Sequence, residues 1–321
     1  MQVASIQEPV QKELAQVEAT LEAVTHSEIP DVRQMLEHVL SAGGKRLRPT
    51  IALLAGRFGE YRPELLVPVA ASIELLHTAT LVHDDVIDDS DTRRGRPTTN
   101  ARHHNAVAVM LGDYMFAHAA DLICRAENIE VVKLFSRTLM AMASGELTQD
   151  MSAYHYGQDT MQYFHRIAGK TASLFATCAE GGAMVARSPE PWVAALRDYG
   201  ENVGMAFQIV DDILDFAADE AELGKPTGSD LLQGTLTLPA LLLMERHPDD
   251  NPVKRLFEND RREEHVADAI DMIRGSGILD EARTVARDFR DRAVSSLERL
   301  PASPDRAALV DVADYVLGRR A

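Results

Sequence analysis

Residues 65–91 read LLVPVAASIELLHTATLVHDDVIDDSD. Apolar residues recur at Leu65, Val69, Ile73 and Leu76, the spacing that gives a helix one apolar face. The apolar stretch Leu75–Leu81 then leads into Asp84, Asp85, Asp88, Asp89 and Asp91. On a helix Asp84 and Asp88 share a face, and Asp85 neighbours Asp88. Such packing is costly. Like charges repel at that spacing, the cluster closes a helix where the dipole disfavours anions, and the apolar run places it at the rim of something buried. A divalent cation relieves all three penalties. Hard carboxylate oxygens with an open coordination sphere suit Mg2+ that also binds phosphate.

The pattern returns at residues 208–216, QIVDDILDF, where Asp211, Asp212 and Asp215 repeat the spacing inside an apolar helix. Gln208 precedes Asp211 by three residues and Asp212 by four, so it shares their face. The two copies are too far apart for one helix, so two helices that face each other are expected. An EF-hand is excluded, because the required Gly and the closing Glu are missing.

Cations cluster near these acids. Residues 42–49 read AGGKRLRP, a glycine break followed by Lys45, Arg46 and Arg48, with Pro49 suited to a first helical turn. Arg93 and Arg94 follow the first acidic cluster, and Gly95 and Pro97 turn the chain there. His77 lies two turns before Asp84 on nearly the same face. Lys170–Thr171 and Lys225, within LGKPTGSD, add donors in or beside Gly-punctuated segments.

The chain has 321 residues, 45% hydrophobic and 5% aromatic, which favours a globular helical protein over a β-sandwich or disorder. Helical periodicity dominates, as in Val10–Leu14–Val17–Leu21–Val24 and Val131–Leu134–Leu139–Met142, and no repeat or linker appears. One all-α domain over residues 1–321 is expected, a bundle of ten or more helices with a peripheral charged region after residue 248. Thirty-three basic against 50 acidic residues leave a net charge of −17, which argues against a nucleic-acid partner. An anionic substrate would need locally positive groups or metal ions. Cys124 and Cys178 lack metal-type spacing and are expected as core thiols in a reducing cytoplasm. The N-terminal MQVASIQEPV suggests no signal peptide, and apolar runs such as Leu238–Met244 are too short to cross a bilayer, so a soluble protein is expected.

From Leu36 to Met244 the chain resembles the trans-isoprenyl diphosphate synthases, or polyprenyl synthetases. Seven blocks carry the likeness in order: GGKRLRP, HTATLVHDDVIDDSDTRRGRP, GDYMFA, GELTQ, GKTASLF, GMAFQIVDDILDF and LGKPTGSDLLQGTLTLP. The resemblance implies the isoprenoid synthase fold, an all-α bundle around a deep central cavity, with Mg2+ as cofactor and a homodimer as the usual assembly. It implies an isopentenyl diphosphate site at Lys45, Arg48, His77 and Arg94. Asp84, Asp88 and Asp211 look like the metal ligands, with Asp85, Asp212 and Asp215 supporting them directly or through water. Arg93, Lys170, Thr171, Gln208 and Lys225 look like contacts to the allylic diphosphate, Lys170 joining the three ligands in the catalytic set. Thr235 departs from the pattern, since many members carry a lysine there.

The implied reaction condenses isopentenyl diphosphate with an allylic diphosphate. Ala79 and Thr80, just before the first cluster, are small where short-chain relatives often carry aromatics. That implies an open shaft and a long product, with Met115, Phe116 or Phe135 as a deeper floor. The alternatives are a short-chain synthase and the catalytic subunit of a heteromeric one. A class I terpene cyclase is disfavoured by the second DDxxD and by GGKRLRP.

Overall fold

Helical spacing of apolar residues carries through nearly every segment of this computed structural model, which describes residues 3–218, 226–249, 251–258 and 262–319. Among the described residues, the helices of eight or more residues are α1 (Gln11–Val24), α2 (Pro30–Leu40), α3 (Leu47–Ala55), α4 (Pro63–Ile87), α5 (Asn105–Cys124), α6 (Ile129–Met151), α7 (Thr160–Ile167), α8 (Ser173–Val185), α9 (Glu190–Ala217), α10 (Leu238–Arg246), α11 (Arg262–Gly275), α12 (Ile278–Ser296) and α13 (Pro304–Leu317). Strand structure among them is confined to β1 (Thr92–Arg93) and β2 (Arg96–Pro97). The fold class is all-α, as expected.

The chain forms two compact units. The first comprises Met1–Ser136, Thr177–Arg197 and Leu297–Val312; the second comprises Arg137–Ala176, Asp198–Ser296 and Ala313–Ala321. Helices α6, α8, α9 and α13 contribute residues to both.

In the first unit α4 is the central element, packed by α1, α3 and α5. Pro63 starts it, where a missing N–H costs nothing. Leu66, Val69, Ile73, Leu75 and Leu76 are fully buried along it. Its contact with α5 is stitched by the buried Ser72 hydroxyl, which donates to the Ala119 carbonyl at 2.6 Å. Near the helix end, His83 enters a notch at Gly112, where a Cβ would stand 2.1 Å from Nε2. Any side chain there would displace the His83 imidazole.

In the second unit a core gathers Tyr163, Ile167, Ile209, Ile213 and Phe216 with Val266, Ala269, Ile273, Ile278, Ala282 and Ala286. The segment after residue 248 is therefore not peripheral. Its charged residues mask an apolar stripe that closes this core.

Two further expectations are corrected. Helices α4 and α5 are long and apolar enough to cross a membrane by length and composition, although 72% of the relevant window of α4 is buried in the protein, against 39% for α5. Cys178 is a core thiol, but Cys124, the last residue of α5, is exposed.

Candidate active site

The first aspartate cluster lies where α4 ends. The Asp88 N–H donates to the Asp84 carbonyl at 2.8 Å, closing the last turn, and Asp89 leaves it with φ +48°. Asp84 is half-buried and Asp88 exposed, one turn apart. Asp85 points the other way: it is 6% exposed, and Arg93 Nε donates to its Oδ1 at 2.5 Å. Burial raises the Asp85 carboxyl and the Arg93 charge opposes that rise. Asn100 donates to the carbonyls of Asp85 and Ser90, and Thr98 donates to that of Ser90, so the acid-rich end is pinned from outside.

Next comes a hairpin, β1 pairing with β2 through Arg93 opposite Arg96. Its two turn residues, Arg94 and Gly95, have φ of +52° and +72°, the primed-turn geometry that matches strand twist. The turn places Arg94 beside Gly44, so residues 42–49 and 92–97 meet. Together with α4 they line a cavity holding Arg46, His77, Arg93, Arg94 and Arg96. Arg46 is a clamp: it pairs with Glu18 on α1 at 2.5 Å and with buried Glu74 on α4 at 2.8 Å. Arg96 donates to Ser41 Oγ and to His38 Nδ1, while His38 Nε2 donates to the Pro97 carbonyl. Arg94 and Arg96 form no ion pair with a carboxylate among the described residues, although Glu74 acts on Arg94 from a distance, so the four arginines outnumber the two lining carboxylates, Glu74 and Asp85.

His77 lines this cavity as expected, but not as a cation. Burial, then the charges of Arg48, Arg94, Arg93 and Arg46, hold its pKa well below the ordinary value. The unfolded chain, by contrast, protonates His77 below about pH 6.5. The unfolded state then binds more protons, so stability falls as pH drops through that value. His77→Gln is expected to flatten the loss of stability between pH 7.5 and 5.5 in urea unfolding; an unchanged loss would contradict this environment. Lys45, exposed, and Arg48, half-buried on the first turn of α3, do not line the cavity.

In the second unit Lys170 and Thr171 lie in a π-helical turn, Ala168–Ala172. Lys170 Nζ pairs with Glu146 Oε2 at 2.6 Å. Residue 145 is glycine because a Cβ there would stand 2.7 Å from the Lys170 nitrogen, and this close approach brings Glu146 under the lysine. The three aspartates of α9 differ sharply. Asp211 is half-buried, with Arg319 Nη1 2.7 Å from its Oδ1. Asp212 is 2% exposed and takes hydrogen bonds on both oxygens, from Tyr163 at 2.6 Å and Gln208 at 2.8 Å. Burial, then the charge of Asp230, pushes it up to about 7 against the pull of those two bonds. Asp215 is 1% exposed and accepts from Ser229 Oγ at 3.0 Å.

The six motif aspartates therefore divide into accessible Asp84, Asp88 and Asp211 and buried Asp85, Asp212 and Asp215. Direct metal support from the buried three is set aside, since their oxygens face protein donors. Thr171 donates to Gln208 Oε1 at 2.6 Å. Lys225 lies outside the described residues. Among the described residues no three His, Cys, Asp or Glu groups gather into a closed metal cage. Accessible carboxylates in ones and twos fit Mg2+, which takes one or two carboxylates and completes its shell with water and substrate phosphate.

Arg46 with Glu74, Arg96 with His38, Glu146 and Tyr163 were missed by sequence reasoning. Glu74 had a usable signal, being the lone charge between Leu65 and Leu76. A buried carboxylate there requires a cation.

Accessible aspartate turns and a guanidinium-lined cavity, carried on an all-α scaffold, define a diphosphate-handling prenyltransferase. The chain belongs to the polyprenyl synthetase family, whose model matches residues 29–273. It is 41% identical over 311 residues to heptaprenyl diphosphate synthase component 2 of Geobacillus stearothermophilus, covering 96% of each chain. Octaprenyl diphosphate synthase of Escherichia coli is 34% identical over 321 residues, with 99% of each covered. Among solved structures, the polyprenyl synthase of Caulobacter crescentus complexed with calcium and isoprenyl diphosphate matches with a TM-score of 0.94 at 34% identity. That match covers 100% of this chain and 98% of that one. Membership sets the terpene cyclase reading aside.

Proposed function

We propose that this chain is a Mg2+-dependent polyprenyl diphosphate synthase that adds isopentenyl diphosphate repeatedly to an allylic diphosphate, giving a long all-trans product. The observation that carries the reading is the cavity of Arg94 and Arg96 at the end of the helix bearing Asp84 and Asp88. It concentrates positive charge beside metal-type carboxylates in a chain of net charge −17. Hepta- and octaprenyl synthases among the relatives support a long product.

Asp84 and Asp88 on the first unit, and Asp211 on the second, would each offer carboxylate oxygens to a metal, which supplies charge neutralisation as the diphosphate departs. Arg94 and Arg96 bind and orient isopentenyl diphosphate, and His77 donates a hydrogen bond to it. Lys170, aimed by Glu146, meets the allylic diphosphate. The allylic C–O bond breaks, the isopentenyl double bond attacks the cation, and a proton leaves to the released diphosphate. No side chain acts as nucleophile; orientation and electrostatics carry the rate.

The two units act as one synthase domain, since the family match runs through both. We place it in the cytoplasm, in keeping with its two free cysteines. Exposed Met110 and Tyr114 on α5 suit a homodimer contact, which sedimentation would test. The component 2 names of two relatives support a second reading, the catalytic subunit of a two-chain synthase. Labelled isopentenyl diphosphate given to the purified chain with several allylic primers and Mg2+, read by product chromatography, tests both. Long products from the single chain support the main reading. Turnover only after a partner is added supports the second, and no incorporation in either case overturns both.

A further inference from the structure

The hairpin that carries Arg93, Arg94 and Arg96 is fastened to the end of α2 by His38 and by Ser41, just past the helix. His38 Nε2 donates to the Pro97 carbonyl at 2.8 Å, and Arg96 Nη2 donates to His38 Nδ1 at 3.2 Å. Arg96 Nη1 donates to Ser41 Oγ at 3.1 Å, and that hydroxyl donates to the His38 carbonyl at 3.3 Å. These neighbours select the tautomer of His38. A guanidinium can only donate and a carbonyl can only accept, so Nδ1 is bare and Nε2 carries the hydrogen. One neutral ring thus grips both residues of β2.

The chemistry of these acceptors sets Arg96 apart from its neighbours. Arg46 is held by Glu18 and Glu74, and Arg93 by Asp85, so each is fixed and largely neutralised. His38 and Ser41 are uncharged acceptors. They orient the Arg96 guanidinium and leave its positive charge to the cavity that both Arg96 and His38 line. The same hairpin sets Arg94 against Gly44, where a Cβ would stand 3.3 Å from Nη1. We propose that His38 is a positioning residue for isopentenyl diphosphate: in the substrate-free protein it holds the arginine hairpin against α2, with the charge of Arg94 and Arg96 intact. Ser41 assists it. The inference rests on the reading of that cavity as the isopentenyl diphosphate site.

His38→Leu removes both ring nitrogens and keeps a good helix former on α2. Two measurements on the full chain are read together. One is amide hydrogen exchange of segment 92–98 by mass spectrometry, with no substrate or metal added. The other is the KM for isopentenyl diphosphate. Freeing the hairpin from His38 is expected to speed exchange there about tenfold and to raise that KM about tenfold, with the KM for the allylic diphosphate little changed. His38→Gln, which keeps one donor and one acceptor, should restore both. Ser41→Ala loses one bond to Arg96, should show the same paired change to a smaller degree, and decides the matter if His38→Leu does not fold. A raised KM with wild-type exchange would make His38 a substrate contact and overturn the proposal. Faster exchange with a wild-type KM would make it a structural tie alone and overturn it equally. Arg94→Ala is the control. If it leaves the isopentenyl diphosphate KM unchanged, the site reading itself fails. If it raises that KM while folded His38→Leu behaves as wild type, the role of His38 fails alone.

Discussion

Asp84→Ala and Asp211→Ala are each expected to fold normally and to lose about 1000-fold or more in turnover, equivalent to about 4 kcal/mol of transition-state stabilisation. Both side chains are partly accessible, so truncation opens no cavity. At the end of α4 it also removes a charge that the helix dipole and Asp88 disfavour. Stability of Asp84→Ala should therefore hold or rise slightly, while Asp211→Ala gives up the ion pair with Arg319 and should lose a little. Asp212→Ala and Asp215→Ala reverse the pattern. Each leaves donors without an acceptor, buried Tyr163 and half-buried Gln208 in one case and half-buried Ser229 in the other, and each should lower Tm. Steady-state kinetics beside thermal unfolding distinguishes the two classes. Turnover within tenfold of wild type in Asp84→Ala or Asp211→Ala would remove those residues from the metal site.

Thr80→Phe is expected to shorten the product by several isoprene units with little loss of fold. Thr80 is half-buried, one turn before Asp84, and its hydroxyl donates only to the His77 carbonyl within its own helix. An aromatic there would project towards the space a growing tail must use. Ala79 is a poorer place for the test. It is fully buried, and Ala79→Tyr would overpack the core at a cost of about 1–3 kcal/mol or more. Product chromatography reads the outcome, and an unchanged product spectrum from Thr80→Phe would dismiss the shaft.

Much of the architecture was legible because each long helix writes its buried face into the chain at a three-and-four spacing. The acid motifs were legible too, since like charges crowded twice into apolar helices demand a counter-ion. Which aspartates face outward was not. Spacing gives a shared face but not the neighbour, so Asp212 looks like Asp211 until Tyr163, 49 residues earlier, is found against it. The π turn at Ala168–Ala172 was hidden for a related reason: a local change of helical pitch leaves no mark in composition. Arg46 read as one more cation of a basic block, and only Glu18 and Glu74 reveal it as a brace. The charged surface after residue 248 concealed the stripe of Val266, Ala269 and Ile273 beneath it.

The His83 notch bears on any attempt to redesign the enzyme. Phe116, a natural target for altering tail length, stacks edge-on against the His83 ring with centroids 5.1 Å apart, and His83 Nε2 donates to the Val109 carbonyl at 3.0 Å. His83 immediately precedes Asp84 in the chain. Trimming Phe116 would remove this edge contact and loosen the imidazole next to the aspartate. Libraries at Phe116 should therefore be screened over a range of Mg2+ concentrations rather than at one.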